Sequence, residues 1–397
     1  MKILAVLYSD PKEGMPSQYP LKKLPELTSY PDGSSLPSPQ SIDFTPGELL
    51  GSVSGELGLR KFLESAGHTL VVTSDKDGPS STAARELEDA DIVISQPFWP
   101  FYLTESLMRK AKNLKLAITA GIGSDHVDLG AAIKHSIDVV EVTWSNSISV
   151  SEHVVMMILA LVRDYIHQHD IVKQGGWDIA DAVARSYDLE GMHVGVLGAG
   201  RIGLSVLRRL KPFETHLHYF DQHRLPESIE TELGLNYHDE LISMLAACDV
   251  VSINCPLHPA TENLFTTELI DQMKPGAYLI NTARGKICNR EAIAKALESG
   301  QLSGYAGDVW FPQPAPANHI WRSMPHNGMT PHTSGTSLSA QARYAAGVRE
   351  ILECFLTGRA IREEYFIVKN GSLAGAGANA YTEGNTTEGA EQLAKDT

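Results

Sequence analysis

Two short segments in the last third of the chain carry residues that could handle a proton or bind an anion. His332 stands in TPHTSGTS, and Gln313 stands upstream in GDVWFPQPAP. A histidine with a catalytic role normally has a carboxylate partner that orients it and tunes its pKa. Here the expected partner position offers an amide, which cannot take up a proton. The pattern predicts a functional histidine with a neutral partner, and an ordinary core histidine is the alternative.

A glycine-rich turn marks a candidate nucleotide site. VGVLGAGRIG places Gly198, Gly200 and Gly203 in a G-x-G-x-x-G pattern directly after an apolar, strand-like run. The first glycine permits a tight turn, the second lets a pyrophosphate approach the backbone, and the third allows close helix–sheet packing. The N-terminus of the following helix supplies N–H donors for phosphate. A flavodoxin-like turn without a nucleotide is the alternative, but the strand–helix context favours a dinucleotide.

The acid after the next strand bears on which dinucleotide binds. Asp221 follows HLHYF, 18 residues after Gly203. A carboxylate there would accept hydrogen bonds from the adenosine ribose hydroxyls and would repel a 2′-phosphate, so NAD is predicted over NADP. Arg224 could meet a 2′-phosphate and argues the other way.

The scaffold for these residues can be predicted from apolar runs. Short strand-like runs alternate with helical segments in two successive series, and such alternation predicts parallel, doubly wound sheets. At 397 residues the chain is long for one core, so two domains are expected. We expect one long helix over residues 151–174 and a return helix after Thr336. The tail from Gly371 is expected to be irregular or partly disordered unless it wraps the body.

Composition narrows the class of partner. The net charge of −15 argues against nucleic acid and anionic membranes. Four scattered cysteines show no metal-ligand spacing, so no metal site is predicted, and they suggest a reducing compartment. The N-terminus MKILAVLYSD is expected to be a strand, not a signal peptide, and VVMMILALV is too short to span a bilayer. A cytoplasmic location is predicted.

Seven motifs together resemble the D-2-hydroxyacid dehydrogenase superfamily: GIGSDHVDL (121–129), NSISVSEHVVMMIL (146–159), GAGRIG (198–203), CPLHPAT (255–261), NTARGKICN (281–289), GYAGDVWFPQP (304–314) and TPHTSGT (330–336). Within it, SQPFWP (95–100), the pair Gln313 and His332, and the N-terminal extension are similar to the NAD-dependent formate dehydrogenases. The resemblance covers essentially the whole chain.

The resemblance implies a homodimer of two-domain chains with two Rossmann-like domains. An NAD domain of residues 147–333 would be inserted into a catalytic domain of residues 1–146 and 334–397. The helix predicted over 151–174 would then serve as a dimer and hinge element.

The resemblance also implies an activity, the oxidation of formate to CO₂ by direct hydride transfer to NAD⁺. No O–H bond breaks in this reaction, so no general base is needed. Arg284 would bind the substrate carboxylate, Asn146 would donate its amide to it, and an apolar wall would reject larger acids. Each role has a structural alternative: an ion pair for Arg284, a helix cap for Asn146, and strand ending or core packing for the wall. The implied catalytic set is Arg284, His332, Asn146, Gln313, Ile122, Pro97 and Phe98.

The implied cofactor set surrounds the pyrophosphate, the adenosine and the nicotinamide. Asp308 would orient the nicotinamide carboxamide together with the Ser334–Gly335 backbone. The whole set is Ser147, Gly198, Gly200, Arg201, Ile202, Gly203, Asp221, Pro256, His258, Thr282, Asp308, Ser334 and Gly335.

Two other functions are compatible with the same fold. A D-2-hydroxyacid or phosphonate dehydrogenase is the first, although a hydroxyacid enzyme would need Glu at Gln313 to help take a hydroxyl proton. A non-enzymatic NAD-sensing regulator is the second, and such a protein would not need the full catalytic set.

Overall fold

The computed structural model describes residues 1–15, 24, 27–30, 35–37 and 49–381. The chain divides into two compact units. The first, here called the terminal unit, comprises residues 1–146 and 335–397, and the second, the central unit, comprises residues 147–334.

The secondary structure of the described residues alternates between strands and helices. The strands are β1 Lys2–Val6, β2 Thr69–Thr73, β3 Ile92–Ser95, β4 Leu116–Thr119, β5 Asp138–Glu141, β6 His193–Leu197, β7 His216–Phe220, β8 Asn236–Tyr237, β9 Val250–Ile253, β10 Ala277–Asn281, β11 Leu302–Gly307, β12 Asn327–Met329, β13 Phe366–Lys369 and β14 Ser372–Leu373. The helices are α1 Arg60–Ser65, α2 Thr82–Leu87, α3 Glu105–Met108, α4 Leu129–Lys134, α5 Ser147–Val162, α6 Tyr165–Lys173, α7 Ile179–Val183, α8 Arg201–Leu210, α9 Glu227–Leu233, α10 Leu241–Ala247, α11 Thr267–Ile270, α12 Arg290–Ser299, α13 Leu338–Thr357 and α14 Gly377–Ala380.

The terminal unit contains a sheet in the order β14-β13-β5-β4-β3-β1-β2, in which β1 to β5 run parallel. Both faces of this sheet are covered. Along β1, Ile3 and Ala5 pack into one buried cluster and Leu4 and Val6 into another, because successive side chains of a strand point to opposite faces.

The edge of this sheet differs from the prediction. The tail from Gly371 was expected to be irregular or partly disordered unless it wraps the body, and its first part is ordered: β14 pairs antiparallel with β13, and α14 follows. Asn370 and Gly371 both have positive φ, 51° and 78°, as the favoured two-residue hairpin turn requires. The Asn-Gly pair was the overlooked signal. The part of the predicted tail from residue 382 onward lies outside the described residues.

The central unit contains a sheet in the order β12-β11-β10-β9-β6-β7-β8, and every pairing in it is parallel. Apolar clusters lie on both of its faces. The predicted class, two doubly wound α/β sheets, is confirmed by these topologies.

The long helix predicted over 151–174 is wrong as a single element. It is divided into α5 and α6 at Asp164, whose φ of 52° is left-handed. α5 buries nine side chains, whereas α6 buries none, so the apolar stripe that makes a helix pack ends where the break occurs. No helix within the described ranges has the length and apolarity needed to cross a bilayer.

Candidate active site

The predicted functional residues of the central unit follow the carboxyl ends of strands. Because all strands of this sheet are parallel, these ends lie along one edge, which is where open α/β sheets bind ligands. β6 adjoins both β7 and β9, so the strand order reverses beside it. The strand ends and the residues that follow them are β6 with Gly198, β7 with Asp221, β9 with Pro256, β10 with Thr282 and Arg284, β11 with Asp308, and β12 with His332.

The glycine turn fits a pyrophosphate. Gly198 has a φ of 91°, and a Cβ atom there would lie 2.8 Å from the backbone nitrogen of Cys255. A Cβ on Gly203 would lie 2.0 Å from the carbonyl oxygen of Gly198, so the start of α8 can pack this closely only with glycine. Gly200 faces open space instead, which leaves room for phosphate oxygens at the first turn of α8.

Asp221 is fixed beside this turn. Its Oδ2 accepts a hydrogen bond from the backbone N–H of Ala199 (2.7 Å), and its Oδ1 accepts one from the N–H of His223 (2.8 Å). These bonds hold the carboxylate next to the glycine turn, where an adenosine ribose would lie.

The segment after β9 is also ordered by local hydrogen bonds. The Thr261 hydroxyl donates to the Pro256 carbonyl (2.7 Å) and accepts from the N–H of His258 (2.9 Å). Burial lowers the pKa of His258, so its ring is neutral at neutral pH. Burial raises the pKa of Cys255 to about 12, so this thiol stays protonated.

His332 and Gln313 are brought together as predicted from the sequence. The Nδ1 of His332 lies 2.9 Å from Oε1 of Gln313. An amide oxygen can only accept, so the ring carries its proton on Nδ1 when it is neutral. His332 is 9% exposed and adopts a left-handed backbone, with a φ of 57°. For a residue with a Cβ this conformation persists only where the surroundings impose it.

Asp308 imposes that conformation. Its carboxylate is fully buried and accepts from the Thr330 hydroxyl and the Thr333 N–H through Oδ1, and from the Ser334 N–H through Oδ2. These three donors flank His332 on both sides. Asp308 therefore fixes the turn that carries the histidine.

His153 of α5 supports the same turn from another side. Its Nε2 lies 3.1 Å from the Thr330 hydroxyl and 4.0 Å from Oδ1 of Asp308. Burial lowers the pKa of His153, so a neutral ring is packed against the carboxylate.

Arg284 lies on a turn that is held by the last residue of β10. Asn281 accepts from the N–H of Ala283 (3.0 Å) and donates to the carbonyl of Arg284 (2.9 Å). A Cβ on the next residue, Gly285, would lie 2.5 Å from the carbonyl carbon of Trp310. The Arg284 turn therefore packs directly on the segment that leads to Gln313.

The terminal unit places its predicted residues after three neighbouring strands. Pro97 and Phe98 follow β3, Ile122 follows β4, and Asn146 follows β5. A Cβ on Gly121 would lie 3.1 Å from the Pro97 ring and 3.7 Å from the Phe98 ring. The apolar side chains therefore pack over the loop that carries Ile122.

A buried carboxylate holds this loop as well. Oε2 of Glu141, at the end of β5, accepts from the N–H of Gly123 (2.9 Å) and lies 3.3 Å from the Ser124 hydroxyl. The N–H of Ser124 donates to the hydroxyl of Tyr381 (2.8 Å). Glu141 is only 4% exposed.

Asn146 has a buried amide against Gly335, where an added Cβ would lie 2.6 Å from Nδ2. Its Oδ1 accepts no hydrogen bond from any residue that the structure describes, so helix capping does not account for it. Within the same described set, the buried hydroxyl of Ser147 also lacks a partner. Buried polar atoms without partners are costly in a folded protein and suggest a ligand.

Comparison with known proteins gives a consistent result. Residues 155–334 match a family described as "D-isomer specific 2-hydroxyacid dehydrogenase, NAD binding domain". The formate dehydrogenase of Pseudomonas sp. (strain 101) is 65% identical over 394 residues, which cover 99% of this chain and 98% of that protein. The chain belongs to the formate dehydrogenase family.

Two solved structures of formate dehydrogenases agree with this membership. That from Granulicella m. is 65% identical, with a TM-score of 0.92 over 94% of this chain and all of that one. That from Staphylococcus aureus, solved in complex with NAD, is 39% identical, with a TM-score of 0.77 over 93% of this chain and all of that one. The family and the NAD cofactor predicted from the sequence are confirmed.

Several residues of this formate dehydrogenase fold were missed by sequence analysis. Asn281 is the polar last residue of an otherwise apolar strand, AYLIN, and Glu141 ends the strand DVVE after two valines, and these positions were a usable signal. His153 and Tyr381 gave no comparable signal, because the contacts they make join distant parts of the chain.

Proposed function

We propose that this chain oxidises formate to CO₂ with NAD⁺. The observation that carries the proposal is the His332–Gln313 pair, because the amide of Gln313 cannot take part in proton transfer. A 2-hydroxyacid substrate would need a proton removed from its hydroxyl, and formate has none to remove.

The reaction moves one hydride. Bound NAD⁺ supplies the acceptor, C4 of its nicotinamide, and the remaining atoms of formate leave as CO₂. The protein's task is therefore to position the anion, to stabilise its charge and to exclude water.

Arg284, Asn146 and His332 would bind the anion. A guanidinium is always charged and can grip both carboxylate oxygens, and an amide N–H would add a further donor. His332, oriented by its hydrogen bond to the neutral amide of Gln313, would add another hydrogen-bond donor to the anion.

Pro97, Phe98 and Ile122 would enclose formate on its apolar side. A wall of rigid side chains leaves no room for the methyl group of a lactate-sized acid, and it removes water from the anion. The packing of Pro97 and Phe98 against Gly121 supports this role.

The cofactor would be held along the edge of the central sheet. Gly198, Gly200, Arg201, Ile202 and Gly203 would surround the pyrophosphate. Asp221 would bind the ribose, with Pro256, His258 and Thr282 on the adenosine side. Near the nicotinamide and its phosphate, the remaining residues would be Asp308, Ser334, Gly335 and Ser147.

We also infer a homodimer in the cytoplasm, with residues 156–187 at the dimer interface. Large apolar side chains are unusually exposed in this part of the chain, up to 82% for Trp177. Exposed apolar surface of this kind is typical of a protein interface. The side chains concerned are Met156, Tyr165, Ile166, Val172, Trp177, Ile179, Val183 and Tyr187.

The test is to supply the purified chain with formate and NAD⁺ and to follow NADH absorbance. D-lactate and phosphite serve as competing substrates in parallel assays, and NADP⁺ replaces NAD⁺ in a further series. We expect turnover with formate and none with D-lactate or phosphite. Turnover with D-lactate and none with formate would reverse the assignment.

A further inference from the structure

Arg224 lies three residues beyond Asp221 and is held by an acid of the next helix, α9. Its Nε and Nη2 each lie 2.9 Å from an oxygen of Glu230. Such paired hydrogen bonds fix a guanidinium in direction as well as in place. The Arg224 side chain is 62% exposed, whereas that of Glu230 is 10% exposed. Glu230 is therefore the anchored partner of the pair.

Two tyrosines stabilise this arrangement. The Tyr219 hydroxyl donates to Oε1 of Glu230 and accepts from the N–H of Leu225. The guanidinium of Arg224 lies 4.9 Å from the centre of the Tyr237 ring, within range of a cation–π interaction. The Arg224 pairing lowers the pKa of Glu230, so the carboxylate is ionised at neutral pH. Arg224 is thus bound to α9 by its charge and to Tyr237 of β8 by its face.

We propose that Glu230 is a cofactor-specificity residue that withholds Arg224 from the 2′-phosphate of NADP. Two carboxylates would then reject NADP by different means. Asp221 repels the phosphate directly, and Glu230 occupies the nearby cation that would otherwise bind it. The inference rests on the cofactor part of the proposed function and not on formate as the substrate.

The test measures binding at the adenosine end alone. Isothermal titration of the full-length protein with adenosine 2′,5′-bisphosphate and with 5′-AMP separates the 2′-phosphate from the rest of the ligand. Asp221→Ser serves as the parent, because the native carboxylate would mask any gain. Adding Glu230→Gln should tighten bisphosphate binding by about tenfold, the value of one charge-assisted contact, and should leave 5′-AMP binding nearly unchanged.

Two controls identify the cause of any gain. Glu232→Gln removes the same charge from an exposed position of α9 and should give no comparable gain. Adding Arg224→Ala to the double variant should abolish the gain. A gain that survives Arg224→Ala, or that Glu232→Gln reproduces, would overturn the proposal, as would no gain at all.

A further comparison needs no change at Glu230, should that variant fail to fold. In the Asp221→Ser parent, Glu230 still keeps Arg224 away from the 2′-phosphate. Adding Arg224→Ala to this parent should therefore leave its affinity for the bisphosphate nearly unchanged. A large loss there would mean that Arg224 already binds the phosphate and would refute the idea. Neither ligand contains nicotinamide, so absence of formate oxidation would not alter these results, and failure here would leave formate oxidation untouched.

Discussion

The carboxyl edges of the two sheets carry opposite kinds of residue. The edge of the central unit presents polar and charged groups, and the edge of the terminal unit presents mainly apolar ones. The former are Arg284, Gln313 and His332, and the latter are Pro97, Phe98 and Ile122. In the proposed function the first set binds an anion and the second excludes everything larger.

Both edges nevertheless use the same device to fix a loop. Asp308 accepts hydrogen bonds from the turn around His332, and Glu141 accepts them from the loop after Ile122. Each is a buried carboxylate at or just beyond the end of a strand. In both units a buried carboxylate fixes the position of a loop, whereas the chemistry depends on the side chains that the loop carries.

Removing the anion-binding charge should have the largest effect. Arg284→Ala is expected to lower kcat/KM for formate by about 10³-fold, because in the proposed function its guanidinium pairs with the substrate carboxylate. Arg290→Ala, at an exposed arginine paired with Glu291, is the matched control and should change little. Steady-state kinetics with both variants measure this, and near-normal activity of Arg284→Ala would remove the residue from the site.

Isosteric neutralisation of the two buried acids tests the comparison itself. Asp308→Asn should lower kcat/KM by about 10²-fold, since an amide NH₂ would face one of the three donors and disturb the His332 turn. Glu141→Gln should cost about tenfold, chiefly in KM, because its remaining amide oxygen can still accept from Gly123.

Thermal melting of the same two variants separates loss of the fold from loss of placement. A larger loss of kcat/KM in Glu141→Gln than in Asp308→Asn would contradict the predicted order of the two effects.

Changing the histidine's partner should alter pH dependence more than rate. The plateau of kcat/KM around neutral pH should be broader in the native enzyme than in Gln313→Glu, because Gln313 does not titrate. In Gln313→Glu the new carboxylate would couple to His332 and narrow the plateau. An unchanged profile in that variant would show that the amide has no such role.

The smallest expected effect concerns stability and lies away from both edges. Nε2 of His218, in β7, lies 2.7 Å from Nδ1 of His193, and its Nδ1 lies 2.9 Å from Nε2 of His238. Burial together with these neighbours lowers the pKa of His218 to about 4. Its pKa in the unfolded chain is higher, near 6.5, so the unfolded state binds more protons between these values. The free energy of unfolding should therefore be fully retained above pH 6.5 and should fall as the pH drops toward 4.

Urea unfolding at a neutral and an acidic pH measures this effect. His218→Gln should flatten the dependence while leaving the pH profile of formate oxidation unchanged. An equal decline in the variant would assign the acid sensitivity to other groups.

Much of this organisation could be predicted from the sequence, for physical reasons. A strand buried on both faces is a continuous apolar run, so both sheets and the residues that follow each strand could be located. The pairing of His332 with Gln313 came from motifs and was confirmed at 2.9 Å. The Asn370–Gly371 hairpin also follows from a local rule, because an Asn-Gly pair favours a two-residue turn with positive φ at both residues.

What could not be predicted depends on contacts between distant residues. The break at Asp164 follows from where α5 stops burying side chains, which the pattern of residues does not reveal by itself. The support that His153 gives to Thr330 and that Tyr381 gives to Ser124 spans 177 and 257 residues. The full role of Asp308 was likewise hidden, because its three donors are brought to it only by folding.

In the proposed function, His332 orients and binds the substrate but transfers no proton. Isotope effects on kcat/KM test it most directly, with deuterated formate in one series and deuterated solvent in another. We expect a clear primary effect from deuterated formate and a solvent effect close to unity across the pH plateau. A substantial solvent effect that disappears on substitution of His332 would show that His332 transfers a proton in the rate-limiting step.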